Sequence, residues 1–212
     1  MYKRLGKRMI DLVVSSIGFV ALCPLFLVLL VGGAIVHSGS PFFFQFRPGR
    51  NGVIFRILKF KTMDEKCNSD GNLLPDLERI TWFGHILRKT SLDELPQLLN
   101  VIRGDMSLIG PRPLLPQYLS LYTVEQSRRH LVRPGITGLA QVAGRNRAMF
   151  SERLKNDVYY VDNLSLGLDI KIVWLTMKAI LMDSSSVING QTVDDVDDVG
   201  LSKNLSSNNF KK

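Results

Sequence analysis

Cysteine is nearly absent from this chain, and histidine is scarce: two cysteines and three histidines occur in 212 residues. Cys23 lies in an apolar run and Cys67 in a polar stretch, so a disulfide is not expected, and nothing resembles the framework that staples small secreted domains. No C-x-x-C or H-x-x-x-H pair occurs, which leaves zinc without a ligand set. Formal charge is missing altogether from Leu12 to Phe46. No internal repeat is visible.

Acidic residues are outnumbered, with 19 Asp and Glu against 27 Lys and Arg. The imbalance is uneven. Residues 183–212 carry five Asp and three Lys, so the remaining chain holds +10. Such a body attracts anions: phosphorylated substrates, anionic lipid or nucleic acid. Duplex DNA binding would need a basic face on a recognisable reading motif, and none is present.

The uncharged run "LVVSSIGFVALCPLFLVLLVGGAIV" covers Leu12 to Val36. About 20 apolar residues suffice to span a bilayer. The run is too long for a signal-peptide core and no A-x-A cleavage site follows it. A buried helix of a soluble domain is the alternative. Pro24 interrupts the middle of the run, where it removes a backbone donor. Lys3, Arg4, Lys7 and Arg8 precede the run; Arg47, Arg50, Arg56, Lys59 and Lys61 follow it. Basic flanks prefer the cytoplasmic side, and here both flanks are basic. A re-entrant helical hairpin that bends near Cys23 and Pro24 satisfies both features; a kinked spanning helix competes with it.

Pro41 to Met63 predicts a β-hairpin, with aromatic and branched residues around a turn at Gly49 to Gly52. Residues 67–76 predict loop, Thr81 to Lys89 a short helix, and Leu92 to Ile102 another. Gly104 to Pro116, with three prolines and two glycines, predicts loop. Tyr118 to Leu131 predicts helix, Arg133 to Arg147 a loop with a short strand, and Ser151 to Asn163 a further helix. Asp169 to Met182 predicts a last helix, either in the core or in a membrane interface with Trp174 as anchor. Residues 183–212 are poor in large apolar side chains and predict disorder.

Two groups of residues carry chemistry. Lys59, Arg88, Arg112, Arg145 and Arg147 lie in or beside Gly- or Pro-rich stretches. Arg112 sits in "GPRP", and arginine grips phosphate with a bidentate fork. The second group is Asp93 and Glu94 in "SLDELPQLLN". Neighbours on a helix point about 100° apart, which suits two adjacent partners better than one shared proton. An ionised Asp needs no general base to attack phosphorus. A Glu beside it would suit Mg2+, a hard cation held by one or two carboxylates plus substrate phosphates. Capping is the competing explanation. Ser91-x-x-Glu94 fits a capping box, and a helix start is also a phosphate site. Pro96 blurs that boundary.

Five blocks in order carry a resemblance: "PFFFQFRPGRNG", "RILKFKTM", "LRKTSLDELPQLLNVIRGDMSLIGPRP", "RPGITGLAQVAGRN" and "ERLKNDVYYVDNLSLGLDIKI". Together they resemble the bacterial sugar transferase family, the monotopic phosphoglycosyl transferases, from about Lys3 to Leu181. The resemblance implies an α/β, mostly helical, small catalytic domain with an N-terminal re-entrant membrane helix and interfacial amphipathic helices. The expected division is residues 1–36 re-entrant hairpin, 37–182 catalytic domain and 183–212 disordered tail.

The resemblance also implies transfer of a sugar-1-phosphate from a UDP-sugar to undecaprenyl phosphate, with release of UMP. Asp93 would be the nucleophile of a covalent intermediate, and Glu94 the Mg2+ ligand. Arg112 and Arg145 would lie near the donor diphosphate or nucleotide, with Arg88, Lys59 and Arg147 as further candidates. Asp157 and Asp169 match family acidic positions and are carried as substrate-binding candidates. Cys23 stands where the family usually has Ser, and Lys61 where Arg is common. The short form suggests an N-acetylated amino sugar. The expected location is the inner membrane, monotopic, with the site facing the cytoplasm and membrane lipid as a partner. Nucleic acid is not an expected partner, and oligomeric state is open. The other functions weighed are a non-catalytic membrane scaffold and a UDP-sugar hydrolase.

Overall fold

The computed structural model describes residues 2–143, 148–182 and 197–200. After a π-helical turn (Tyr2–Gly6), helix α1 spans Lys7–Ala21 and α2 spans Cys23–Val36. They bend by 65° at Leu22. The break follows from the sequence: Pro24 occupies the first turn of α2, where a missing N–H costs that helix nothing. It cannot continue the ladder of α1. Among the described residues no single helix is long and apolar enough to cross a membrane; only this bent pair has the length and composition together.

Both ends of the bent pair return to one folded body. At the start of α1, Lys7 pairs with Asp169 at 2.9 Å, and Arg8 donates to the carbonyls of Val101 and Ile102 at 2.6 and 2.9 Å. Beyond α2, His37 lies 2.9 Å from the Lys61 carbonyl and 3.1 Å from Asp64. Between these anchors the outer faces stay bare. Val13, Ile17 and Val20 of α1 and Leu27, Val28, Val31 and Ile35 of α2 are exposed.

The predicted hairpin is present. Strands β1 (Phe42–Pro48) and β2 (Ile54–Phe60) pair antiparallel, with Phe43 opposite Lys59, through a turn over Arg50–Gly52. Phe26, Leu29, Phe60, Leu87 and Leu95 form a core cluster that joins α2 to the hairpin. Helix α3 (Asp76–Arg79) is a single turn and α4 covers Trp82–Lys89, capped by Thr81. Gly84 lets α4 approach β2's continuation: a Cβ there would stand 1.9 Å from the Thr62 carbonyl oxygen.

The single helix expected over Leu92 to Ile102 is instead two pieces. A 3-10 turn covers Leu92–Glu94, and α5 runs over Gln97–Arg103. Pro96, which lacks the donor a continuous helix would need, separates them. The capping box is also absent. Ser91 sits in the left-handed region (φ 56, ψ 18) and its side chain makes no cap bond. Gly104, at φ 101, ends α5.

The loop predicted from Gly104 to Pro116 contains a strand, β3 (Ser107–Ile109), parallel to β4 (Gly135–Thr137). Their backbones touch: a Cβ on Gly135 would lie 2.1 Å from the Gly110 nitrogen. The helix predicted over Tyr118 to Leu131 resolves into a 3-10 turn (Pro116–Ser120), the short α6 (Val124–Ser127) and another 3-10 turn (Arg128–Leu131). Helix α7 (Leu139–Ala143) appears where loop was expected. Then come α8 (Phe150–Asp162) and α9 (Leu166–Met182), both near their predicted bounds.

Helix α9 is two-sided. Ile172 is fully buried with Ile109, Tyr160 and Leu164, while Ile170, Val173, Trp174, Met177 and Ile180 face outward. Most of the tail predicted to be disordered lies outside the described residues. Residues 197–200 sit at the start of α8, where Asp198 accepts from the Ser151 amide at 2.9 Å.

Candidate active site

Asp93 and Glu94 share one 3-10 turn between two leucines. Leu92 and Leu95 turn into the core cluster around Leu87 and Phe60, which leaves the carboxylates facing the other way. The strained Ser91 backbone immediately precedes them. Left-handed non-glycine residues are uncommon, and they persist where the surroundings fix them.

Three elements bring cations to this turn. Lys59 comes from the end of β2; its ammonium lies 2.6 Å from Glu94 Oε1 and 3.8 Å from Asp93 Oδ2. Arg112, from the loop after β3, donates Nη2 to the same Glu94 oxygen at 3.1 Å. Arg88, from α4, donates Nε to Thr62 at 3.0 Å, and its charge also acts on Asp93. The side chains of Asp93 and Glu94 are 15% and 17% exposed, so the pair is open at a mouth rather than sealed.

The two carboxylates are driven apart electrostatically. Burial raises the pKa of Asp93 and the neighbouring Glu94 charge adds to this, against the opposing pull of Lys59. Burial would raise Glu94 too, but Arg112 and Lys59 overcome it and hold that carboxylate at about 2. One group is a fixed anion held by cations. The other is a less stabilised carboxylate beside it. Environments that split a pair in this way mark different roles for its members.

Positive charge also gathers just behind Arg112. Burial, and then the Arg112 charge, lower the pKa of Arg47 at the end of β1 and of Arg153 in α8. Such crowding of guanidinium groups favours an anionic occupant.

Of the residues picked from sequence, the structure therefore brings together Lys59, Arg88, Asp93, Glu94 and Arg112. Asp157 and Asp169 are elsewhere. Asp157 is 3% exposed in α8 against Arg129, and Asp169 is 3% exposed in α9 among Lys7, Tyr2 and Tyr160. Arg145 and Arg147 lie outside the described residues. Cys23 and Pro24 stand at the bend, Cys23 half-buried with a free thiol. Sequence reasoning missed Asn100. Its side chain accepts from the Leu58 amide at 3.0 Å and donates to the Arg56 carbonyl at 2.8 Å, which fixes β2 beside Lys59. Its only signal was a polar residue set between Leu99 and Val101.

The described residues contain no cluster of three or more His, Cys, Asp or Glu side chains able to hold a metal ion. The donor set is two adjacent carboxylates with a cationic surround. That fits a hard divalent ion held largely by substrate phosphates and water, not an all-protein cage.

The bacterial sugar transferase family model matches residues 2–183. The chain belongs to the bacterial sugar transferase family. Among its relatives in this family, the uncharacterized sugar transferase EpsL of Bacillus subtilis is 50% identical over 179 residues, covering 83% of this chain and 87% of that protein. The UDP-glucose:undecaprenyl-phosphate glucose-1-phosphate transferase of Caulobacter vibrioides is 39% identical over 192 residues, covering 84% of this chain and 70% of the relative. The UDP-N-acetylgalactosamine-undecaprenyl-phosphate N-acetylgalactosaminephosphotransferase of Aeromonas hydrophila is 38% identical over 183 residues, covering 82% and 43%. The sugar transferase match thus includes the bent helix pair as well as the carboxylate turn.

Proposed function

We propose that this sugar transferase moves a sugar-1-phosphate from a UDP-sugar to undecaprenyl phosphate and releases UMP. The observation that carries the reading is the split carboxylate pair inside a ring of cations, on a domain attached to an apolar bent helix. The names of the relatives support a UDP-sugar donor and a polyprenyl acceptor.

The chemistry runs in two displacements. Asp93 attacks the phosphorus that bears the sugar; the bond from that phosphorus to the bridging oxygen breaks, and UMP leaves with the electron pair. The product is an aspartyl phosphosugar. An oxygen of the polyprenyl phosphate then attacks the same phosphorus, and the bond to Asp93 breaks. The carboxylate is regenerated. Lys59, Arg88 and Arg112 supply charge to the phosphate oxygens, where preorganised donors lower the barrier. Glu94 would hold Mg2+, which when bound supplies charge to the donor phosphates. Its low pKa would keep it ionised for that purpose; here Lys59 and Arg112 share its Oε1.

The bent pair supports a re-entrant anchor. Its two ends meet the same domain, its flanks are basic, and its outer face is apolar. In this reading the domain rests on the cytoplasmic leaflet, with α9 and Trp174 in the interface. The donor is an N-acetylated amino sugar derivative. Purified protein in nanodiscs, given Mg2+, undecaprenyl phosphate and a panel of UDP-sugars, tests both points. UMP release that depends on the polyprenyl phosphate and is greatest with an N-acetylated sugar is expected. No release with any donor overturns the activity; equal release with UDP-glucose overturns the sugar preference.

A further inference from the structure

We propose that Arg129 and Asp157 are positioning residues that hold the Arg112 backbone, and through it the Arg112 guanidinium, at the carboxylate turn. The inference rests on the reading of Arg112 as a phosphate-binding cation. It gives Asp157 a role different from direct substrate contact.

The Arg112 loop has little intrinsic support. Strand β3 ends at Ile109, and Arg112 lies between Pro111 and Pro113, neither of which has an N–H. Strand β4 reaches as far as Pro111, whose carbonyl accepts from the Gly135 amide at 3.0 Å. The next carbonyl, that of Arg112, is held from another direction, by Arg129 Nη2 at 2.7 Å. Two successive carbonyls are thus clamped by different elements. The side chain beyond them reaches Glu94 at 3.1 Å.

Arg129 is built for this task. It is 2% exposed. Its Nε and Nη2 donate to one oxygen of Asp157 at 3.1 and 2.7 Å, and its Nη1 donates to the Tyr122 hydroxyl at 3.1 Å. The Tyr122 ring also lies against the guanidinium, 5.7 Å from centroid to carbon. A buried ion pair is a poor source of net stability, because desolvation offsets the attraction. It does fix direction. The planar fork sends four bonds from three nitrogens to a carboxylate, a phenol and a backbone carbonyl in fixed directions, whereas an ammonium offers one freely rotating nitrogen. Displacement of a reacting group by about 1 Å can cost about 100-fold in rate, so a rigid mount for Arg112 has catalytic value.

The test uses the full chain in nanodiscs. Tyr122→Phe removes one bond from Arg129 and keeps the ring; Asp157→Asn removes the charge that orients it. Each is assayed for kcat/KM alone and in an Arg112→Ala background. The expected result is a loss of about tenfold for Tyr122→Phe and more for Asp157→Asn in the native background, and none in the Arg112→Ala background. Independent, multiplicative losses in that background overturn the proposal. A second readout needs no turnover. Hydrogen exchange of residues 107–115 should quicken in both variants, while the hairpin of residues 42–60 stays unchanged. Unchanged exchange at 107–115 overturns the proposal, also where Arg112→Ala has no measurable activity. If the parent protein releases no UMP, the enzymatic reading fails while exchange still judges the mount.

Discussion

The protein holds two carboxylate pairs, each with a lysine between its members, and they are treated in opposite ways. Asp11 and Asp169 come from α1 and α9 and are joined by Lys7, at 3.7 and 2.9 Å. Every oxygen has a donor. Asp11 accepts from the Ser107 hydroxyl at 2.7 Å and the Leu108 amide at 3.2 Å; Asp169 accepts from Tyr2 and Tyr160. Asp93 and Glu94 are joined by Lys59, but among the described residues no hydroxyl or amide donates to them. Their partners are cations that a phosphate or a metal ion can take over. The saturated pair ties α1 to α9 and to β3. An unsaturated pair at a mouth is free to react.

Substitutions sharpen that contrast. The largest expected effect is at Asp93. Asp93→Asn should lower UMP release by about 10⁴-fold or more, because a nucleophile has no substitute, and leave thermal unfolding unchanged. Asp169→Asn should do the reverse. Breaking a buried pair costs about 3–5 kcal/mol, so thermal unfolding of the nanodisc-bound protein should move sharply down. Activity below that transition should persist. Loss of turnover with an unchanged transition would erase the distinction.

Next in size is pH. In the proposed mechanism Asp93 must be ionised to attack, so the rate should fall as pH drops through its raised pKa. Lys59 favours the ionised forms of both acids. Lys59→Gln removes that support and should shift the acid limb of the kcat/KM profile to higher pH, by about one unit. An unmoved limb would detach Lys59 from the pair. Ser107→Ala is the mildest change. It removes one hydroxyl from the saturated pair and should cost about 1 kcal/mol in unfolding free energy, with the pH profile intact.

Local features were legible in the sequence and distant ones were not. The hairpin follows from aromatic and branched residues flanking a turn with glycines at 49 and 52, and α4, α8 and α9 from their periodicity. The left-handed Ser91 escaped, because a capping signature and a run of leucines pointed to one helix; Pro96 marked the helix start as ambiguous without fixing the break. The β3–β4 pairing joins residues 28 apart and depends on glycine contacts across the gap, which no local pattern reveals. The carboxylate turn was recognisable from its motif. The burial of Asp157 and Asp169 was not, since their partners, Arg129 and Lys7, are ordinary basic residues until the fold brings them together.

In the proposed reaction Asp93, and not a carboxylate of the saturated pair, takes the phosphosugar. Mass spectrometry of the protein after mixing with a UDP-sugar and Mg2+, without polyprenyl phosphate, tests it most directly. A phosphosugar adduct is expected on the peptide containing Asp93, retained in folded Asp169→Asn and absent from Asp93→Asn. An adduct that survives in Asp93→Asn, or turnover with no adduct at any residue, would contradict it.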